Sequence, residues 1–165
     1  MTENIRFGTF QHVEKMAYKS SSADNNYVME IALYGDSRDN LKYGGLYPWH
    51  EIVQYKYVNV DITAYCPQGW VIPSEQDFQN LMLYGVSEVD KLFQPTYGGC
   101  GIAQNGRPIK FDGIEKYGLY WTSTKSPGSK HKFARFVSYK GRELVGVYYY
   151  TLTDQYFAAL RCIKK

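Results

Sequence analysis

Apolar residues recur along this chain at two different spacings. From about residue 48 to residue 93 they fall at helical intervals, and beyond residue 117 they cluster in strand-like runs. Pro48 suits a first helical turn, and Trp49, Ile52 and Val53 behind it share one face. Ser74 followed by Asp77 resembles a capping box; Phe78, Leu81, Met82 and Tyr84 form the apolar face, and Gly85 supplies a stop. A third, small helix is expected from Ser87 to Phe93, burying Val89, Leu92 and Phe93. Strands are expected over Leu119–Thr124, Lys132–Tyr139, Glu143–Thr151 and Phe157–Ile163, with Lys140-Gly141 as a hairpin signal. Ahead of the helices, Ile5–Tyr18 has room for a strand, Ser20–Asn26 reads as a surface loop, and Tyr27–Leu33 is strand-like. Gly98–Gly118, with its glycines, Asn105-Gly106 and Pro108, reads as loop. The plan is α+β: two or three short helices packed on a mostly antiparallel, Tyr-rich C-terminal sheet.

Length sharpens this plan to one domain, residues 1–165, able to build an ordinary core without a metal or a disulfide framework. The net charge of +3 is weak and scattered, which argues against nucleic acid as a partner. No apolar run approaches the roughly 20 residues that span a membrane, so membrane insertion is not expected. The first residues lack the basic segment and apolar core of a signal peptide. Three histories fit: a cytoplasmic protein, a piece of a longer precursor, or a protein released by lysis. The composition departs from average in one respect, its 17 tyrosines.

Four motifs stand in order along the chain. They are Tyr43-Gly44-Gly45-Leu46-Tyr47-Pro48-Trp49, and Cys66-Pro67-Gln68-Gly69-Trp70-Val71-Ile72-Pro73-Ser74. Next comes a series running from Tyr97-Gly98-Gly99 through Asn105-Gly106 to Tyr117-Gly118-Leu119-Tyr120-Trp121-Thr122-Ser123-Thr124, and last Leu160-Arg161-Cys162-Ile163. Together they resemble the Fibrobacter succinogenes major paralogous domain family. The resemblance covers nearly the whole chain, best from Tyr43 to Ile163. The chain departs from the family's Tyr-Gly-Phe-x-Val-Arg-Cys ending, because Phe157 stands in place of the glycine.

That resemblance implies a C-type-lectin-like fold, close to formylglycine-generating-enzyme domains. It implies a protein of the extracellular space, a cell surface (typically in gut and rumen Bacteroidetes and Fibrobacter) or a virion, the fold being one that phage receptor-binding tips also use. It suggests a disulfide between Cys66 and Cys162; two reduced, touching thiols are the alternative. Cys100 is expected to be a free structural thiol, since no Cys-His pairing is visible for a nucleophile.

No metal or cofactor is expected. His12, His50 and His131 stand far apart, without the spacing of a zinc site or a three-His iron set. Gln94-Pro95-Thr96 and Trp121-Thr122-Ser123 lack the full set of carboxylate and carboxamide ligands of a calcium-dependent lectin. There is no phosphate loop and no nucleophile elbow. Trp49, Trp70 and Trp121 lie in the fold motifs and are expected in the core.

What remains is the tyrosine density of the last strands. Tyr148 and Tyr150 share a strand face, and Tyr149 belongs to the other. Arg135, Tyr139, Arg142, Tyr148 and Tyr150 are the candidate ligand-binding residues, because Tyr and Arg dominate binding hot spots. Simple strand propensity is the competing explanation. The expectation is a non-enzymatic recognition module, an adhesin or phage receptor-binding component, for a surface glycan or protein. A structural part of a surface layer, pilus or virion is the alternative, and an enzyme akin to the formylglycine-generating family is third.

Overall fold

A computed structural model describes residues 9–11, 29–31, 43–52, 66–104, 107–124, 130–139, 143–153 and 155–165. The strands are β1 (Thr9–Gln11), β2 (Met29–Ile31), β3 (Leu46–Pro48), β4 (Trp70–Val71), β5 (Gly98–Gln104) and β6 (Arg107–Ile114). They continue with β7 (Tyr117–Trp121), β8 (Lys130–Tyr139), β9 (Glu143–Thr153), β10 (Tyr156–Ala159) and β11 (Ile163–Lys164). The helices are α1 (Trp49–Ile52), α2 (Glu75–Met82) and α3 (Val86–Leu92). The fold is α+β with a mostly antiparallel sheet. Its strand order is β1-β2-β3-β10-β5-β7-β8-β9, with β6 added on β5; β11 and β4 make a second, two-stranded sheet. Of the early expectations, only Thr9–Gln11 and Met29–Ile31 are described, both as short strands; the Ser20–Asn26 loop lies outside the described residues.

α2 begins as its local chemistry dictates. The Ser74 side chain accepts from the Asp77 N–H at 3.1 Å, and the Asp77 carboxylate accepts from the Ser74 N–H at 2.7 Å. Two of the helix's unpaired first-turn donors are thereby satisfied. Thr124 Oγ1 accepts a third, the Glu75 N–H, at 2.8 Å, tying the helix start to the chain leaving β7. The stop differs from expectation. α2 ends at Met82, and Gly85, at φ 82°, opens α3 instead of closing α2. Pro48 likewise ends β3 and precedes the helix, so the helix itself starts at Trp49.

The segment expected as loop, Gly98–Gly118, is instead a hairpin, β5 and β6, leading into β7. Its glycines serve strand packing. A Cβ on Gly99, whose φ is 65°, would lie 2.0 Å from the Asp112 carbonyl oxygen of the paired strand. Only a residue without one fits there. Pro108 stands where sheets tolerate proline: β6 pairs with β5 alone among the described residues, and the register shifts beside it.

The core forms two clusters. One gathers Leu46, Phe78, Val89, Phe93, Ala103, Tyr120, Phe157 and Ala159; the other gathers Tyr47, Trp49, Ile52, Ile72, Cys100, Leu119, Trp121, Ala158, Leu160 and Cys162. The alternation of β7 and β10 deals their residues between the two. Phe157, the departure from the family pattern, is fully buried in the first cluster and pairs with Pro48 and Gly101. The smallest residue of that local set, Gly101, lies directly across from the ring-bearing position. Leu92 and Tyr84, expected on buried faces, are 59% and 67% exposed. Nothing among the described elements closes over their flank of α2 and α3.

Candidate functional site

The strand register fixes where the predicted binding residues stand. Arg135 pairs with Leu119 of β7 on one side and with Tyr148 of β9 on the other. Phe133 pairs with Tyr150, and Tyr139 with Glu143. A bulge between Val137 and Ser138 absorbs one extra residue of β9, so the alternation along β8 is not interrupted. Arg135, Tyr139, Tyr148 and Tyr150 therefore occupy positions on one face of the β8–β9 ladder, in a row about 20 Å long at strand rise. Tyr149 pairs with Ala134 on the other face, in line with the expected alternation. Arg142 lies outside the described residues.

A second feature was not anticipated. A groove of about 450 Å³ opens between α2, α3 and the small sheet. Phe78 and Phe93 form its buried floor; they meet edge to face at 5.6 Å between ring centres. Trp70, Leu81 and Ile163 line it half-buried, and Tyr84 and Leu92 form an exposed rim. Trp49 and Trp121 are core residues, 5.6 Å apart between rings, and the Trp121 indole N–H donates to the Tyr47 carbonyl at 2.7 Å. Trp70, expected beside them in the core, is half-buried: it packs against that core and also lines the groove. The signal in the sequence was the run Leu81-Met82-Leu83-Tyr84 just before Gly85, more apolar residues than one helix face uses.

Arg161 anchors the groove from behind. It is fully buried, and its guanidinium donates to the Phe93 carbonyl and, at 3.1 Å, to the Gln94 carbonyl. These are acceptors at the end of α3, where the helix dipole favours a cation. The same guanidinium lies 4.4 Å from the Phe93 ring centre and 5.3 Å from that of Tyr120. A disulfide joins Cys66 to Cys162 with 5.8 Å between Cα atoms, next to the β4–β11 pair that supplies Trp70, Ile163 and Lys164.

Two tyrosines carry perturbed hydroxyls. The Tyr117 hydroxyl donates to Asp112 at 2.5 Å and lies 3.7 Å from the buried Cys100 thiol. Burial, then the bond to Asp112, pushes its pKa well up. Tyr97 is pushed up to about 12, first by burial and then by the negative charge of Asp90. Its hydroxyl is buried without a hydrogen-bond partner. Among the described residues, no group of three His, Cys, Asp or Glu side chains stands where it could hold a metal ion. Nor does any helix among them have the length and apolarity to cross a membrane.

The chain matches no family model, no curated protein and no solved structure.

Proposed function

We propose that this chain is a non-catalytic recognition module of C-type-lectin-like fold, related to the Fibrobacter succinogenes major paralogous domains. It works outside the cell, on a cell surface or on a virion. It binds a surface glycan or protein through Arg135, Tyr139, Arg142, Tyr148 and Tyr150, by aromatic stacking and hydrogen bonds from Arg and Tyr, without a metal. The supporting observation is the β8–β9 register, which gives Arg135, Tyr139, Tyr148 and Tyr150 positions on one face of two long strands. Aromatic residues and Arg in a row offer large contact area at low entropic cost.

The test is a binding screen of the purified protein against arrayed glycans and intact gut-bacterial cells, with and without EDTA. A folded Tyr139→Ala/Tyr148→Ala/Tyr150→Ala variant runs beside it. Binding that survives EDTA and is lost in the variant is the expected result; binding unchanged by the three substitutions would sink the assignment of the site.

A structural role in a surface layer, pilus or virion is the second reading. One observation favours it: β9, eleven residues long, ends the sheet and pairs with β8 alone among the described residues. Long edge strands pair readily with other chains. Concentration-dependent self-association in sedimentation, with no ligand found in the screen, is the result this reading expects.

A further inference from the structure

We propose that the outer edge of β9 is a self-pairing surface, which joins two copies of this chain through antiparallel β9–β9 hydrogen bonds into a closed, two-fold dimer. Among the described residues, three strands of the large sheet pair on one side alone: β1, β6 and β9. They are not equally open to a partner. β1 is three residues long and offers too short a ladder. β6 carries Pro108, Lys110 and Asp112, and charges and proline are what keep an edge from pairing. β9 has eleven residues, and from 144 to 153 none is Asp, Glu, Lys, Arg or Pro. Its bulge guards one end alone: Leu144 pairs with Ser138 and Gly146 with Val137, so Val145 is the extra residue. From Gly146 to Thr153 the ladder with β8 runs unbroken, which leaves a regular row of outward backbone N–H and C=O groups.

Length and charge make the partner a second copy. Among the described strands with an open side, only another β9 matches β9 in length. A β9–β1 contact would cover three residues and run on as an open chain of copies, whereas β9–β9 closes at two. Antiparallel self-pairing sets one residue of the strand beside the two-fold axis. With that residue anywhere from Val147 to Tyr150, Glu143 falls opposite a threonine or past the end of the partner strand. No like charges meet at any of these registers.

The pairing changes the tyrosine row. The axis stands perpendicular to the sheet, so both copies keep the same face on the same side. The positions of Tyr148 and Tyr150 in one copy then lie beside those in the other, and two rows become one. α2 and α3 do not come between them. Phe78 and Val89 of those helices share a core cluster with Tyr120, and the register runs from Tyr120 to Ala134 to Tyr149, the face away from the row. On the recognition reading, from which this step follows, a ligand with repeated units engages both rows and gains avidity without a new contact.

Sedimentation equilibrium of the purified protein, without ligand, from micromolar to millimolar concentration tests the dimer. Hydrogen exchange at the two ends of that range places it. The expected result is a monomer–dimer equilibrium that stops at two copies. Amides of residues 146–153 should be more protected at the high concentration, and those of β1 and β6 unchanged. Tyr148→Lys, which sets like charges on both sides of the axis, should raise the dimer dissociation constant about tenfold over Tyr148→Gln. Exchange in the unaltered protein carries the test if the lysine variant fails to fold.

Four outcomes would overturn the inference: a protein that stays monomeric, an assembly that grows beyond two copies, a dimer whose β9 amides exchange alike at both concentrations, or a folded Tyr148→Lys variant that dimerises as tightly as Tyr148→Gln. The glycan and cell screen is read separately. A dimer that binds no ligand would overturn the recognition reading and leave the β9 pairing standing, and a monomer that binds through the tyrosines would do the reverse.

Discussion

Tyr97 illustrates how much a single hydroxyl can matter when it is buried. Its oxygen is shut away from water with nothing to bond, a state that costs on the order of 1–3 kcal/mol. Tyr97→Phe should therefore stabilise the protein by about 1 kcal/mol in urea unfolding. The same burial gives a pH signature. Tyr97 and Tyr117 both hold their protons more tightly when folded than at the ordinary value of 10. The stability linked to them is whole below pH 10 and is lost as pH rises through the folded value, about 12 for Tyr97. Unfolding free energy should fall above pH 10, and Tyr97→Phe should make that fall shallower; an identical slope in the variant would rule Tyr97 out as a contributor. Arg161 is the opposite case, a buried cation with its partners in place. Arg161→Met keeps much of the side-chain volume but strands the Phe93 and Gln94 carbonyls, and should cost about 3 kcal/mol. The sequence did not reveal this role. The partners are backbone carbonyls 67 and 68 positions upstream, and no pattern of side chains encodes them. Ser74 and Asp77 were readable for the converse reason: both partners of that cap lie within four consecutive residues.

At the scale of elements, legibility followed the same rule of locality. α2 and α3 were visible from capping and spacing, and β7, β8 and β9 from strand-like apolar runs. The β5–β6 hairpin was not, because its glycines mark close contact between strands as well as turns, and composition cannot separate the two uses. A pair of substitutions does. Gly69 and Gly99 both have positive φ, 79° and 65°, but a Cβ on Gly69 meets nothing within 4 Å. Gly69→Ala should cost only the backbone strain, about 1 kcal/mol. Gly99→Ala adds a collision with the Asp112 carbonyl and the backbone of Gly113 and Ile114, and should cost about 3 kcal/mol or more. Hydrogen exchange should show the loss of protection centred on β5 and β6. Equal costs at the two positions would mean that the hairpin packs less closely than this register requires. The four motifs mark buried positions rather than the groove. Trp121, Arg161, Tyr47, Tyr120, Leu46, Ile72 and Leu160 are motif residues, and all rank among the largest fully buried side chains. Motifs of that kind record packing. The groove is lined mostly by residues between or beside the motifs, such as Leu81, Tyr84 and Leu92, which is why they did not point to it.

For the whole molecule, the disulfide decides how its two sheets are held together. The β4–β11 pair is only two residues long on each side, too short to persist by its own ladder. Cys66 lies four residues before β4 and Cys162 immediately before β11, so the bridge covalently joins the segments that lead into the two strands of this pair. The bond spans 96 positions of sequence, and closing a loop of that size removes enough unfolded-chain entropy to contribute up to about 4.7 kcal/mol. Cys66→Ala/Cys162→Ala should thus lower unfolding free energy by about 2–5 kcal/mol, while Cys100→Ala, which trims only one buried thiol, should cost less. Native-state hydrogen exchange separates the two ways the bridge can act. If it works through the unfolded chain, amides throughout the large sheet lose protection by the same free energy as global unfolding. If it works as a local clamp, β4 and β11 open first while β7 and β10 keep their protection. The local result carries a functional consequence, because Trp70, Ile163 and Lys164 would leave the groove together. The reduced protein should then show lost protection at Trp70, Ile163 and Lys164 at an unchanged global fold. A reduced protein in which those amides keep their protection would show that the β4–β11 pair holds its place through Trp70 packing and the Lys165 N–H to Gly69 carbonyl bond at 3.2 Å, without the covalent link.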